Sequence, residues 1–500
     1  MVATAPTVAR DAGNEVAVAQ ARTVAPSVVP ERVHAVGGDA LGDLDAVALT
    51  GALARGAVHT EELVAAAFRR AEAVAHELGA IAYQASRPRR TPTPGSELDG
   101  VPTYLKDNLD VASMPTNHGT AAFLAGPARA DGRVTRQLLG TGMAVLGKTR
   151  MPEFGLNAST EFVDADPARN PWDPHRSVGG SSGGAAALVA AGVVPLAHGN
   201  DGGGSIRLPA AAAGLVGLKS TRGRYLDDEM SSKMPVRLVC DGVLTRSVGD
   251  TAAFVHAMER HWRNPGLPPV GRVIGPSSRR LRIGLLDATL AGTGLDAATR
   301  QALEATAQLL ASLGHRVEPV PLPVDERFAV DFLHHWGLLA LMVSAGGRAV
   351  IDESFDPSRL DPLSTGLVRH ARRFALELPG AVARLRRAGR RCAALFDDHE
   401  VVLSPVTARR TPLLGELSPT VGFETLVGRL VRHLGTTPLH NVTGFPSLAV
   451  PGPLDAGGLP TSSLLSAAWG DERTLLELAF ELEQARPFPR IQDAAPGVDA

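Results

Sequence analysis

The chain predicts an α/β fold, with helices packed on the faces of a sheet. Three observations carry this. Residues 281–286 read as a strand, 295–313 as an amphipathic helix stopped by Gly314, and 316–320 as a second strand, which is a βαβ rhythm. The 500 residues are 44% apolar and 20% charged, enough for a sizeable core and too apolar for a wholly disordered chain. Length allows one large α/β domain or two to four smaller ones, and no linker clearly splits the chain and no repeat of 20–50 residues is present.

The elements follow in order. Residues 1–40 are rich in Ala, Val, Arg and Pro without a sustained period, and read as a mobile extension. The body is expected over 41–490, with a tail at 491–500. Residues 59–78 predict a helix capped by Thr60, with Leu63, Ala67, Ala71, Ala75 and Leu78 on one stripe and Gly79 at its end. Residues 87–98 (RPRRTPTPGSEL) read as a loop. A strand at 101–105, a helix at 131–143 and a strand at 144–148 come next. A helix at 185–191 and a strand at 193–197 follow. Residues 325–398 read as a mostly helical, Arg-rich elaboration over the sheet. Strands at 401–403 and 447–450 and a helix at 472–484 close the domain.

Composition excludes several classes. Fifty Lys and Arg against 52 Asp and Glu give a net charge of −2, which argues against nucleic acid as a partner. Cys240 and Cys392 cannot make a disulfide framework or a four-cysteine zinc site. No H-E-x-x-H or Cys-x-x-Cys motif is present, so no metal is expected. The longest apolar run, 183–197, is 15 small-residue positions containing Pro195, too short to span a bilayer. Arg10, Asp11 and Glu15 interrupt any leader-like apolar stretch, so no signal peptide and a cytoplasmic location are expected. Only four of the 50 basic residues are lysines: Lys106, Lys148, Lys219 and Lys233. A buried lysine can become neutral and an arginine cannot, so these four draw attention.

Two motif matches mislead. Gly142 to Thr149 fits the phosphate-loop formula, but 144–148 is itself the expected strand and Pro152 follows closely. Gly179-Gly-Ser181-Ser-Gly183 fits the nucleophile elbow, yet the preceding residues contain Pro171 and Pro174 and cannot form the central strand an elbow requires.

The informative feature is a pair of clusters, 179–184 and 202–205, holding seven glycines and three serines. Bare backbone amides before a serine can converge on an oxyanion. The run Ser177-Val-Gly-Gly-Ser181-Ser-Gly-Gly184 is followed by Gly199-Asn-Asp201-Gly-Gly-Gly-Ser205-Ile-Arg207-Leu-Pro209 and by Gly214-Leu-Val-Gly217-Leu-Lys219. With Gly100-Val-Pro-Thr-Tyr-Leu-Lys106-Asp107-Asn108 upstream, these resemble the motifs of the amidase signature family. The separations of 75 residues from Lys106 to Ser181 and 24 from Ser181 to Ser205 are similar to that family's. Leu403 to Thr407 and Asn441 to Pro446 also look familial. The resemblance runs from about Leu41 to Gln484 and is strongest from Leu98 to Arg224.

The resemblance implies a single large domain with a mixed central sheet covered by helices on both faces. It implies Ser205 as nucleophile, Ser181 as a bridging serine on a cis peptide, and Lys106 as terminal base. A neutral Lys106 requires its pKa to fall by roughly 3 from about 10.4, a bias of roughly 4 kcal/mol. The N–H groups of Gly202, Gly203, Gly204 and Ser205 are the implied oxyanion donors. Asp201 and Arg207 would hold the loop, or form a plain ion pair, or both, and Ser182 would support Lys106. The run His198-Gly-Asn-Asp201 and Thr411 to Glu416 resemble the branch with aminohexanoate cyclic-dimer hydrolases and actinobacterial amidases. Gly202, Asn200 and Ser220 depart from the common pattern. The expected activity is hydrolysis of a small linear or cyclic carboxamide through an acyl-enzyme, without cofactor. Acyl transfer to an amine, or service as an amidotransferase subunit, are the alternatives. The expected partner is the small amide alone, with neither nucleic acid nor membrane, and a homodimer stays open. Residues 225–239 and 328–391 are expected to shape the acyl pocket, with Phe332, Trp336 and Phe374 as a wall if they face Ser205.

Overall fold

The computed structural model describes residues 31–232 and 234–493. The expected extension over 1–30, Lys233 and the tail over 494–500 lie outside the described residues. Residues 31–40 belong to the body and not to the extension: Val33 and Ala35 donate backbone hydrogen bonds to Pro171 and Ala191, and Arg32 lies over the Trp172 ring. Ile491, expected in the tail, is buried with Trp172 and Leu459.

Helix α1 (Ala46–Ala54) starts where the Asp45 carboxylate accepts the Ala48 N–H. Helix α2 (Thr60–Leu78) is capped differently from expectation. Glu62 reaches back to the His59 N–H at 2.8 Å, so Thr60 is the first helical residue and not the cap. Gly79 ends it in the left-handed conformation, and Val74 rather than Ala75 completes the buried stripe. Strand β1 (Ile81–Arg89) occupies the start of the expected loop. It joins β2 (Pro102–Lys106) and β3 (Ala144–Thr149) in a small sheet of order β1-β3-β2, with the short helix α3 (Arg133–Leu139) between the last two in sequence. The phosphate-loop match is thus a strand, as its sequence context implied. Strands β4 (Arg169–Asn170) and β5 (Asp173–Ser177) pair as a two-stranded ribbon.

Next come α4 (Gly183–Ala190), β6 (Leu196–Asp201), α5 (Arg207–Ala213) and β7 (Val216–Lys219). Strand β6 begins later than the expected 193 and ends at Asp201, directly before the second glycine cluster. After α6 (Glu229–Ser232) come β8 (Cys240–Thr245) and α7 (Val248–His261). The expected βαβ unit is β9 (Arg282–Leu285), α8 (Ala297–Ser312) and β10 (Arg316–Pro319). The helical elaboration is α9 (Arg327–Val350), α10 (Pro362–Arg373), α11 (Leu378–Ala393) and α12 (Leu395–Asp398). Strand β11 (Val401–Pro405), helices α13 (Phe423–His433) and α14 (Thr437–Thr443), strands β12 (Ser447–Pro451) and β13 (Ser462–Ala467), and α15 (Glu472–Ala485) complete the chain.

The large sheet has eight strands in the order β10-β9-β11-β13-β12-β7-β8-β6. It is mixed: β9 pairs in parallel with β10 and β11, and every other pair is antiparallel. Both faces are covered. Along β12, Ala449 packs with the α2, α4 and α5 side, while Leu448 and Val450 pack with the α7, α8 and α15 side. Strands buried on both faces lose the polar alternation that marks a half-exposed strand. That is why β7, β8 and β13 were not legible. Truncating one of these core residues, such as Leu465→Ala, is expected to cost about 2–5 kcal/mol.

Helix α9 corrects one expectation. It has 24 residues and an 18-residue window with a mean hydropathy of 1.4, enough to cross a bilayer by length and composition. In this fold Phe328, Phe332, Trp336 and Ala340 pack against α10 and α11 while Val330, Met342 and Val350 are exposed, and the helix carries a buried Asp331 bound by Arg327 and Arg384.

Candidate active site

Lys106 ends β2, which lies beside β6 at the edge of the large sheet. The two are tied by the Thr103 hydroxyl donating to the Leu196 carbonyl at 3.0 Å and by the Lys106 N–H donating to His198 Nδ1 at 3.3 Å. With Nδ1 accepting, His198 carries its proton on Nε2, 2.9 Å from Asp241 Oδ1. The Lys106 side chain is fully buried. Its Nζ lies 2.7 Å from Ser181 Oγ, donates to Asn200 Oδ1 at 2.6 Å, and sits 3.4 Å from the Asn200 carbonyl. None of these partners carries a charge. Burial pulls the amine down from its ordinary value to about 7, against the opposing fields of Asp201 and Asp241.

Ser181 follows a cis peptide bond from Gly180. A Cβ at Gly180 would stand 2.9 Å from backbone atoms of Asn157, Ala158 and Ser159, so only glycine fits there. Ser182, expected to support Lys106, is fully buried and makes no direct hydrogen bond to the Lys106 amine. Its hydroxyl donates to the Asn200 carbonyl at 3.2 Å, and its N–H donates to the Ser205 carbonyl at 3.0 Å. It therefore joins the two glycine clusters and steadies Lys106 only through Asn200.

The second cluster turns from β6 into α5. Asp201 organises it. Arg207 grips the carboxylate with Nε at 2.8 Å and Nη2 at 2.7 Å, and both side chains are fully buried. Burial alone would raise the Asp201 pKa, but the charge and hydrogen bonds of Arg207 override it and hold the carboxyl well below the usual range. Asn441, from α14, donates to Asp201 Oδ1 at 2.9 Å and accepts from Arg207 Nη2 at 2.6 Å. Asp201 also accepts the N–H of Gly204 at 2.7 Å and of Ile206 at 3.1 Å. This corrects the expectation for Gly204: its N–H is spent on Asp201 and is not free for an oxyanion. The N–H groups of Gly202, Gly203 and Ser205 take no acceptor among the described residues. Gly204 has φ +135°, and a Cβ there would meet Thr437 Oγ1 at 2.6 Å.

Ser205, 7% exposed, opens onto a cavity of about 790 Å³, its mouth included. Gly180 and Gly203 also line it, so both clusters reach the same space. Phe332 and Trp336 of α9 form its wall, as anticipated. Phe374 does not: it packs on the His334 and His370 rings. Among the described residues no lining residue comes from 225–239; α10, α13 and the loop of Leu156 to Ala158 contribute to the lining. Asn200 and α13 were not anticipated as parts of the site. Asn441 had a usable signal, since its run to Pro446 stood out with the family motifs.

Comparison with known proteins shows the family of the chain. The amidase family profile matches residues 53–476. A Mycobacterium leprae protein named as an amidase, AmiC, is 48% identical over 466 residues, covering 92% of this chain and 99% of that one. The 6-aminohexanoate-cyclic-dimer hydrolase of Pseudomonas sp. (strain NK87) is 31% identical over 481 residues, 89% of this chain and 95% of the other. A solved structure of 6-aminohexanoate cyclic dimer hydrolase superimposes with a TM-score of 0.81 at 27% identity, over 91% of this chain and 99% of that one. A buried lysine against a cis-linked serine, beside a glycine-bounded Ser205 in a family-wide match, leaves one assignment: the chain belongs to the amidase signature family and is an amide hydrolase.

Proposed function

We propose that the enzyme hydrolyses a carboxamide through an acyl-enzyme on Ser205, with Ser181 and Lys106 as a proton relay. The observation that carries this is the 2.7 Å approach of Lys106 Nζ to Ser181 Oγ without a carboxylate ion pair to hold the ammonium. A neutral amine can take the Ser181 proton while Ser181 takes the proton of Ser205. Ser205 Oγ then bonds to the carbonyl carbon, and the carbonyl π pair moves to oxygen. The N–H groups of Gly202, Gly203 and Ser205 receive that oxyanion, each contributing about 3 kcal/mol in the transition state. Collapse breaks the C–N bond, and the proton returns from Lys106 through Ser181 to the leaving nitrogen. Water repeats the sequence: the relay takes one proton, the ester C–O bond breaks, and the acid departs with Ser205 reprotonated.

The test is Ser205→Ala, assayed for ammonia or amine release and for labelling by a fluorophosphonate serine probe. Loss of both is expected. Amide turnover that survives the substitution undiminished overturns the assignment.

A further inference from the structure

The cavity beside Ser205 contains information on the acyl group that its catalytic residues do not. Its roof is Phe332 and Trp336 of α9, Leu363 and Leu367 of α10, and Leu430 of α13. These come from three separate helices, yet all present hydrocarbon. Among the described residues neither an ionisable side chain nor a tyrosine lines it. Apart from Ser205 itself, the lining side chains with polar atoms among the described residues are the Trp336 indole and Asn157, both neutral, and Asn157 Nδ2 already donates to the Leu417 carbonyl at 2.8 Å. The aromatic wall also reaches the reacting end. A Cβ on Gly203 would stand 3.0 Å from Trp336 Cζ3 and 3.3 Å from Phe332 Cζ, so the first atoms beyond the carbonyl meet these rings.

A charged or strongly polar acyl terminus entering this space would lose its water and find no counter-charge. A hydrocarbon acyl group gains with every carbon it removes from water. We infer that the substrate is an amide of an uncharged, apolar acyl group, medium-chain aliphatic or aryl, selected by the α9–α10–α13 roof. This rests on the acyl-enzyme reading of Ser205.

The test measures kcat/KM of the full chain on primary amides of increasing acyl length, with ammonia as the readout, alongside fluorophosphonate labelling of Ser205. The rate constant is expected to rise about fourfold per added methylene from acetamide to hexanamide. It is expected to fall at least a hundredfold when the chain end carries a charge, as in 6-aminohexanamide or the monoamide of adipic acid. Leu430→Asp, at a half-buried site, places a carboxylate in the roof and is expected to narrow the gap between hexanamide and 6-aminohexanamide at least tenfold. A flat acyl series, or charged amides turned over as fast as hexanamide, overturns the inference while labelling and turnover leave the acyl-enzyme reading standing. Absence of both labelling and turnover on every amide would instead defeat the acyl-enzyme reading itself.

Discussion

Lys106, the last residue of β2, and Lys148, the last but one of β3, lie on neighbouring parallel strands, and both side chains are fully buried, yet their surroundings differ. Lys148 Nζ donates to the Leu109 and Pro115 carbonyls and to the Thr116 hydroxyl, with the Asp107 carboxylate 3.8 Å away. Burial lowers it to about 8, and Asp107 and Asp110 oppose that. Lys106 has one hydroxyl, one side-chain amide and one distant carbonyl, and falls to about 7. Burial alone therefore does not make a base. The difference lies in the neighbour: Lys148 closes a loop of acceptors around an acidic residue, whereas Lys106 faces a hydroxyl that can surrender a proton.

Exchanging each lysine for methionine tests this contrast with the largest effects. Lys106→Met is expected to lower kcat/KM by about four orders of magnitude or more, as for other catalytic groups that act as a unit, while thermal unfolding shows the fold retained. Lys148→Met strands buried carbonyls and the Asp107 carboxylate, and is expected to cost about 3–5 kcal/mol of stability in denaturant titration. If Lys148→Met unfolds no more readily than the parent, the clamp reading of that site is wrong.

A smaller effect sharpens the same comparison. Asn200→Asp would give Lys106 the carboxylate neighbour that Lys148 has. An opposite charge this close raises a lysine by roughly 1–3 pH units, so activity at neutral pH should fall roughly tenfold or more and recover in alkali. An unmoved pH profile would show that Asn200 does not set the state of the amine.

The parent profile follows from the sign of the shift. Lys106 must be neutral to act, and the neutral fraction grows as pH rises through about 7. With His198, Asp201 and Asp241 as the neighbouring titratable groups, kcat/KM is expected to fall about tenfold per pH unit well below about 7 and to level above it. A limb near the ordinary lysine range instead would mean the amine is not lowered. The smallest expected effect is Gly203→Ala. The new methyl must displace the Trp336 ring by a few tenths of an ångström, for a loss of about three- to tenfold in kcat/KM.

The legible parts of this protein share a physical character. Helix α8 and the strands around it were readable because amphipathic periodicity is local. The stretch from Leu98 to Arg224 was readable because its motifs resemble those of one family, and glycines such as Gly180 stand there where a Cβ would strike backbone. Strands β7, β8 and β13 were obscure because double-sided burial erases alternation. The cap of α2 was misplaced by one residue because the reciprocal bond from Glu62 to His59 is invisible until the turn forms.

The sequence by itself pointed to amide hydrolysis, because the runs around Lys106, Ser181 and Ser205 resemble the motifs of one family and a motif is legible without its neighbours in space. Only the tertiary structure decided that Asn200 receives the lysine, that Gly204 spends its N–H on Asp201, and that hydrocarbon from α9, α10 and α13 closes over Ser205. Those outcomes depend on distance and direction between residues up to hundreds of positions apart, which no local pattern of side chains encodes.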